Sequence, residues 1–504
     1  MLFINPAVKK SSQPRIAKKF TYATFPTSIG FLAAYVREHN KDDVKILDEQ
    51  IVELTAERLA VELSGLKHPK IVGIQNMTVT TGRVKELTRE IKSIDPEVTV
   101  ILGGIHPTVL PDEVLNGSSA DIVVRGEGEV TLGELYERLR DKKPYHDVKG
   151  ISYKADSKVV HNPARELIED LDSLPPFPYD LYEKNIEYYG DFGTVISSRG
   201  CPFDCIFCSQ RAITGRTYRF HSVPRIVDQI KMLADRYNQK KIWFMDDNFA
   251  INKKRLFALL DGIMESGYHR KIAFIAQTRG KEITHEALKK LKECNFISLA
   301  FGVETGSERV MKIINKSETV EDNVRAIKMT SEAGIGTDAS FIFGLPTETK
   351  KDRYDTIKLA CRLPLDGARF NIAIPYPGTK LYGIGKEEKR LKILPDWSNC
   401  SNQYYLRGDD LPYVPRDTYA PVLILDTIIA NLYFSLRPYT LYKMLFKSPL
   451  SGGGVISLPK KWYLKPGVIL AVAAFFSLVI LRILNACAKI SLLPFIGKRL
   501  KSRR

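Results

Sequence analysis

The chain of 504 residues is 44% hydrophobic and 26% charged with only 7 cysteines, which excludes a disordered chain, a collagen and a disulfide scaffold. Lys and Arg number 75 against 58 Asp and Glu, yet residues 427–504 hold 13 of the basic residues and no acid. Taking those 13 from the net charge of +17 leaves +4 for the first 426 residues, so the basicity belongs to the tail and is no evidence for a nucleic-acid-binding body.

Residues 1–6 are too short an apolar run for a signal peptide, so the chain is expected to begin in the cytoplasm. Over residues 1–145 strands are predicted at 2–5, 44–48, 71–75, 98–103 and 121–124, and helices at 28–39, 55–66, 80–94 and 129–140. Several of these helices open on Ser or Thr, which cap orphan N–H groups. The alternation predicts a doubly wound, Rossmann-like α/β domain of five strands, with ligands beyond the carboxyl ends of the strands. Those ends carry 76–81, including Thr78, then Gly103-Gly104-Ile105-His106 and Gly126-Glu127-Gly128-Glu129, where glycine lets a ligand approach the backbone.

Residues 146–190 read as a linker stiffened by Leu174-Pro175-Pro176-Phe177-Pro178. Over 191–395 a second α/β array places strands at 194–198, 241–246, 271–276, 297–303, 336–343 and 368–374. Six such units predict a partial (β/α)6 barrel of TIM type, open on one side, with its chemistry at the carboxyl ends. Residues 396–504 read as a helical, basic tail.

After the first barrel strand stands Cys201-Pro202-Phe203-Asp204-Cys205-Ile206-Phe207-Cys208. Three thiolates on one loop can hold three irons of a [4Fe-4S] cluster and leave the fourth iron open. A zinc loop competes, but a closed zinc site takes four ligands and no other Cys or His lies within ten residues. Cys294, Cys361, Cys400 and Cys487 are expected to be inert thiols.

This loop resembles that of the radical S-adenosylmethionine superfamily, with the aromatic Phe207 before the last cysteine. Further stretches agree in order: Phe244-Met245-Asp246-Asp247-Asn248-Phe249, Gly302-Val303-Glu304-Thr305-Gly306-Ser307, Phe343-Gly344-Leu345-Pro346-Thr347-Glu348 and Pro375-Tyr376-Pro377-Gly378-Thr379. The last of these and the two glycine loops of the first domain are similar to the subgroup with an N-terminal cobalamin-binding domain. The resemblance covers residues 1 to about 395 and implies three cofactors: a [4Fe-4S] cluster on Cys201, Cys205 and Cys208, S-adenosylmethionine, and cobalamin. It implies the methionine amino group at Asp246 or Asp247, the ribose at Glu304, and Phe207 and Gly344 beside the same ligand. Thr78, Gly103, Gly104, His106, Gly126, Glu127 and Gly128 are the implied contacts to cobalamin. Where other cobalamin proteins ligate cobalt through D-x-H-x-x-G, this chain reads Asp48-Glu49-Gln50-Ile51-Val52-Glu53, so either cobalt takes no protein ligand or the domain has lost the cofactor. His106 is expected to serve backbone groups of its own loop.

In the tail, 468–481 is apolar except for Ser477, about 21 Å as a helix and short of the roughly 30 Å hydrocarbon core. Extension to 488 encloses Arg482 and Asn485, and a span would export the terminal basic residues against the positive-inside tendency. An interfacial helix on the inner, anionic membrane face is therefore expected, with Trp462 and Tyr463 at headgroup level, ahead of a span or a buried core helix. The expected function is a membrane-associated radical enzyme acting on an apolar lipid, isoprenoid or tetrapyrrole-like substrate, by cobalamin-dependent methyl transfer. Cobalamin-free C–C bond formation or oxidative cyclisation stands beside it, and an electron donor such as flavodoxin or ferredoxin is implied. An RNA-modifying methylthiotransferase would need three N-terminal cysteines, and none precedes Cys201; a non-enzymatic membrane adaptor would leave the triplet unexplained.

Overall fold

The computed structural model describes residues 1–8, 23–156, 158–402, 404–406 and 408–440. The expectations for 468–481, Trp462, Tyr463 and Cys487 lie outside the described residues.

The first sheet contains β1 (Leu2–Asn5), β2 (Lys45–Asp48), β3 (Ile71–Gln75), β4 (Thr99–Gly103), β5 (Ile122–Val124), β6 (Ile151–Ala155) and β7 (Lys158–His161). Its order is β2-β1-β3-β4-β5-β6-β7, parallel through β5 and antiparallel beyond. Strand alternation sorts the side chains of β1 between two helical layers. Leu2 and Ile4 pack with Leu59, Leu63, Val84, Leu87 and Ile91 on one face. Met1 and Phe3 pack with Ile29, Val36, Leu132 and Leu135 on the other.

Residues 146–190 are therefore more than a linker. Their first part is the β6–β7 hairpin, which lengthens the first sheet from five predicted strands to seven. Their second part is an aromatic wedge in which Phe177, Tyr179 and Tyr182 pack around Phe25, with Tyr189 and Phe192. The phenols tie the wedge to both sides: Tyr189 donates to Asp48 at 2.9 Å and Tyr179 to the Thr194 carbonyl at 2.8 Å.

The second array holds β8 (Thr194–Val195), β9 (Ser198–Arg199), β10 (Arg219–Phe220), β11 (Lys241–Phe244), β12 (Ala273–Thr278), β13 (Phe296–Glu304), β14 (Gly336–Phe343) and β15 (Gly367–Ile372). Six of them form one sheet, β15-β14-β13-β12-β11-β8, parallel throughout. The predicted first strand is split: β8 ends at Val195, and β9 turns away to pair antiparallel with β10. Crossover helices begin on side-chain caps, with Ser222, Asn252, Thr284, Thr319 and Thr349 each accepting a first-turn N–H. The edge at β15 is covered by the helix Ala420–Ser435, whose Asn431 side chain accepts from the Phe370 N–H at 3.2 Å and donates to its carbonyl at 3.0 Å. Among the described residues no helix is long and apolar enough to cross a membrane.

Candidate active site

The carboxyl ends of the two sheets meet. The helix Ile105–Val109, after β4, packs on the helix Arg211–Thr214, which follows the cysteine loop. Across the same joint Trp397 donates to Glu113 at 2.7 Å, joining the chain beyond the barrel to the first domain.

The cysteine loop is set by its neighbours. Gly200 has φ +88, and a Cβ there would lie 2.0 Å from the Thr217 carbonyl, so only glycine turns the chain into the loop. Ile206 is buried with Val310, Met311, Ile314 and Leu345, and Phe207 packs against the same group. Backbone bonds Ile206 N–H to Ile314 O at 3.1 Å and Leu381 N–H to Ile206 O at 2.8 Å fix the middle of the loop. Cys201 and Cys205 are half-buried and Cys208 is exposed.

Burial pushes the Cys205 thiol up to about 12, against the pull of Lys316 and Arg279. Cys201 and Cys208 are raised for the same first reason, and Cys208 lies within electrostatic reach of both other thiols. Among the described residues no three His, Cys, Asp or Glu side chains are gathered about one point, as a single metal ion requires. Three soft donors spaced round a loop, with two cations to balance their charge, suit the corners of an iron-sulfur cluster, which would displace the thiol protons.

The two aspartates after β11 part company. Asp246 is wholly buried and accepts from the Ser197 N–H at 2.7 Å and the Ser198 N–H at 3.1 Å, with Arg255 3.7 Å away. It holds the β8–β9 turn and is not free for a ligand, which corrects the expectation. Asp247 is exposed, its charge reaches Cys201 and Cys208, it accepts from the Gly200 N–H at 2.9 Å, and it is pushed up to about 6 by the protein around it.

Glu304 ends β13 at φ +65, where the pairing with β14 slips by one residue, and its carboxylate is 3.1 Å from the buried Lys316. Its charge reaches both Cys205 and Cys208, which puts it beside the loop. Gly344 is corrected too. Its N–H is taken by Glu348 at 2.6 Å, and a Cβ there would lie 2.7 Å from Leu423, so its role is to admit the helix Ala420–Ser435.

In the first domain Thr78 is buried, and Gly103 closes β4 beside the Val124 carbonyl. Gly104, at φ +113, runs within 2.8 Å of the Asn76 carbonyl as measured from its would-be Cβ. At Gly126, φ +73, a Cβ would meet only open space, whereas at Gly128 it would touch Leu32 at 3.0 Å. His106 is wholly buried, edge-on to Trp397 at 4.8 Å, and burial pulls it down to about 4, so the ring is neutral. Neither ring nitrogen has a hydrogen-bond partner, against the expectation that it serves its loop. An orphaned neutral imidazole and an open glycine fit a face with polar capacity kept for a ligand. Glu127 is different: it takes Arg219 at 2.8 Å and Arg199 at 3.2 Å, and Glu129 takes Arg199 at 2.6 Å. The structure assigns the Glu127 carboxylate to the domain joint rather than to cobalamin.

Four site residues went unread in the sequence: Arg199, Arg219, Arg279 and Lys316. Arg279 follows β12 directly and lies over the Phe203 ring at 3.5 Å, so the strand-end rule that found its neighbours would have found it.

Comparison with known proteins identifies both domains. The model described as the radical SAM superfamily matches residues 195–360, and that of the B12 binding domain matches 16–136. An uncharacterised methyltransferase, PH0819 of Pyrococcus horikoshii, is 36% identical over 71% of this chain and 77% of its own. The anaerobic magnesium-protoporphyrin IX monomethyl ester cyclase of Rubrivivax gelatinosus is 29% identical over 71% of this chain, which spans 65% of that relative's length. The radical S-adenosylmethionine methyltransferase TsrM of Kitasatospora setae, solved with cobalamin and a [4Fe-4S] cluster, shares the fold at TM-score 0.68, 15% identical over 87% of this chain and 89% of its own.

Proposed function

The chain belongs to the radical SAM superfamily, with a B12-binding domain ahead of its barrel, and from that premise we propose that it transfers a methyl group to an unactivated carbon of an apolar small molecule. The observation that carries the reading is the meeting of two strand-end faces, one with the cysteine triplet and one with the glycine loops and His106. Bound there, a [4Fe-4S] cluster, S-adenosylmethionine and cobalamin supply one-electron cleavage and methyl-carrier chemistry.

The protein's own share is to hold and to shield. Cys201, Cys205 and Cys208 hold the cluster. Asp247 accepts from the methionine ammonium, and Glu304, fixed by Lys316, accepts from ribose hydroxyls. Thr78, Gly103, Gly104, His106, Gly126 and Gly128 build the strand ends that receive the corrin, with Gly126 at the open surface. Electrons come from a small donor such as flavodoxin or ferredoxin. The apolar acceptor is supported by relatives whose names place them on tetrapyrroles, a cyclase and a bacteriochlorophyllide methyltransferase. The basic, apolar tail supports delivery from the inner membrane face.

The match to a cyclase favours oxidative cyclisation as the second reading. Anaerobic reconstitution followed by iron, sulfide and cobalt assays tests both. About four irons and one cobalamin per chain are expected. Iron without cobalt would end the methyl-transfer reading and leave cyclisation in its place, and about four irons surviving in the triple Cys→Ala variant would end both.

A further inference from the structure

The helix Ala420–Ser435 is apolar on its outside as well as its inside. Leu423, Ile424, Ile428 and Phe434 are buried in the barrel core. On the outside Val422, Leu425, Ile429, Tyr433 and Leu436 recur at spacings of three and four, which at 3.6 residues per turn sets them within an arc of about 80°. Ile429 is 44% exposed, Tyr433 63% and Leu436 56%, with Tyr419 at 61% leading into the helix. From Thr418 to Leu436 the only charged side chain is Asp426, and it is turned onto the buried Arg353 at 2.8 Å. A helix facing water carries charge on its outer side, whereas one apolar all round belongs in a core or against a non-aqueous phase.

We propose that this stripe docks the barrel's covered edge against the headgroup region of an anionic bilayer. Charge favours that occupant. The chain continues from the helix into residues 441–504, which hold 12 Lys and Arg and no Asp or Glu, a complement to anionic lipid and a poor one to a second, equally basic copy. The tyrosines match the chemistry of the interfacial zone, with an apolar ring and a polar tip.

Geometry adds the route. The helix starts at the mouth, where Leu423 lies against Gly344, and ends at the base, where Arg437 donates to the carbonyls of Cys361 at 3.1 Å and Leu365 at 2.9 Å. Laid on lipid along this line, the protein takes an acceptor from the bilayer beside β14 and β15. The route, though not the docking, rests on the proposed apolar acceptor.

The test is cosedimentation of the full-length holoprotein with phosphatidylcholine vesicles containing phosphatidylglycerol, with pure phosphatidylcholine vesicles as the uncharged control. The wild type should bind the anionic vesicles, and Ile429→Asp/Tyr433→Asp should partition about tenfold less with its melting temperature kept. Should the double aspartate variant fail to fold, Ile429→Ser/Tyr433→Ser reads the same loss more gently. Equal binding by variant and wild type overturns the proposal, because the tail then suffices. A wild type that ignores vesicles while the variant loses melting temperature overturns it in favour of residues 441–504 covering the stripe. A dimer that the substitutions split overturns it in favour of a second copy. Vesicle binding is read without turnover, so a water-soluble acceptor would remove the route and leave the docking result standing.

Discussion

Glu348 is an acid placed where a carboxylate is poorly solvated. One oxygen takes the Gly344 N–H, the other has no hydrogen-bond partner, and the Arg353 guanidinium is 3.7 Å off. Burial outweighs both helpers and pushes it up from 4.5 to about 8, so it is protonated at neutral pH. Between those values the folded protein binds a proton that the unfolded chain has released, and stability must fall as pH rises across that window. Glu348→Gln keeps the acceptor for Gly344 without the charge. Its stability relative to wild type should improve by at least about 1 kcal/mol between pH 5 and pH 8, read from denaturant midpoints. The aspartate pair after β11 gives a sharper contrast. Asp246→Asn keeps one oxygen for the two buried N–H groups but puts an NH2 where the other oxygen accepts from the Ser197 hydroxyl beside the buried Arg255, and should cost about 2 to 4 kcal/mol of stability. Asp247→Asn should leave melting and iron content alone and weaken S-adenosylmethionine binding, measured by calorimetry on the holoprotein. Two neighbours at a strand end face opposite ways, and the sequence offered no means of choosing between them.

At the scale of elements, the β9–β10 ribbon is clasped by the first domain. Arg219 and Arg199 on the ribbon meet Glu127 and Glu129, all nearly buried, and Arg199 also lies over the Phe31 ring at 4.8 Å. Burial would raise the Glu127 carboxyl, but the two guanidiniums overcome it and hold it below its usual range. Glu127→Ala leaves Arg219 buried and unpaired, so it should cost about 3 to 5 kcal/mol and speed amide exchange in residues 198–200. This clasp had no local signal, since its partners stand 70 to 92 residues apart and a glycine loop ahead of a helix reads as a ligand loop. Regular, apolar strands such as β1, β3 and β14 were legible to the residue because periodicity and burial agree there. β7 was not: all its residues are exposed or half-buried, and four residues give alternation nothing to repeat. β9 was hidden for another reason, because Ser198-Arg199 follows β8 after two residues and the turn between them is set by Asp246, 48 residues on.

For the whole molecule, charge is divided as sharply as structure. A nearly balanced body of 426 residues precedes a stretch of 78 with 13 positive charges and no negative ones. The proposed membrane attachment should then have a salt-sensitive and a salt-resistant part. Raising ionic strength to about 1 M, where screening acts over roughly 3 Å, should release only a fraction of the protein from membranes, and detergent the rest. Complete release by salt alone would leave the apolar segments without a role in attachment. The triplet and the two-domain order were legible because each is local in sequence; the joint between domains was not, because it exists only after both have folded. Time enters here. Arg199 stands 70 residues after Glu129, and at roughly 5 to 20 residues per second it leaves the ribosome some 4 to 14 seconds later. Through that interval the nascent first domain carries a pair of carboxylates with no cation to meet them, and its ligand face lies open. A newly made chain thus has a window, closed by its own continued synthesis, in which a large ligand can reach the first domain from the side that the barrel later occupies.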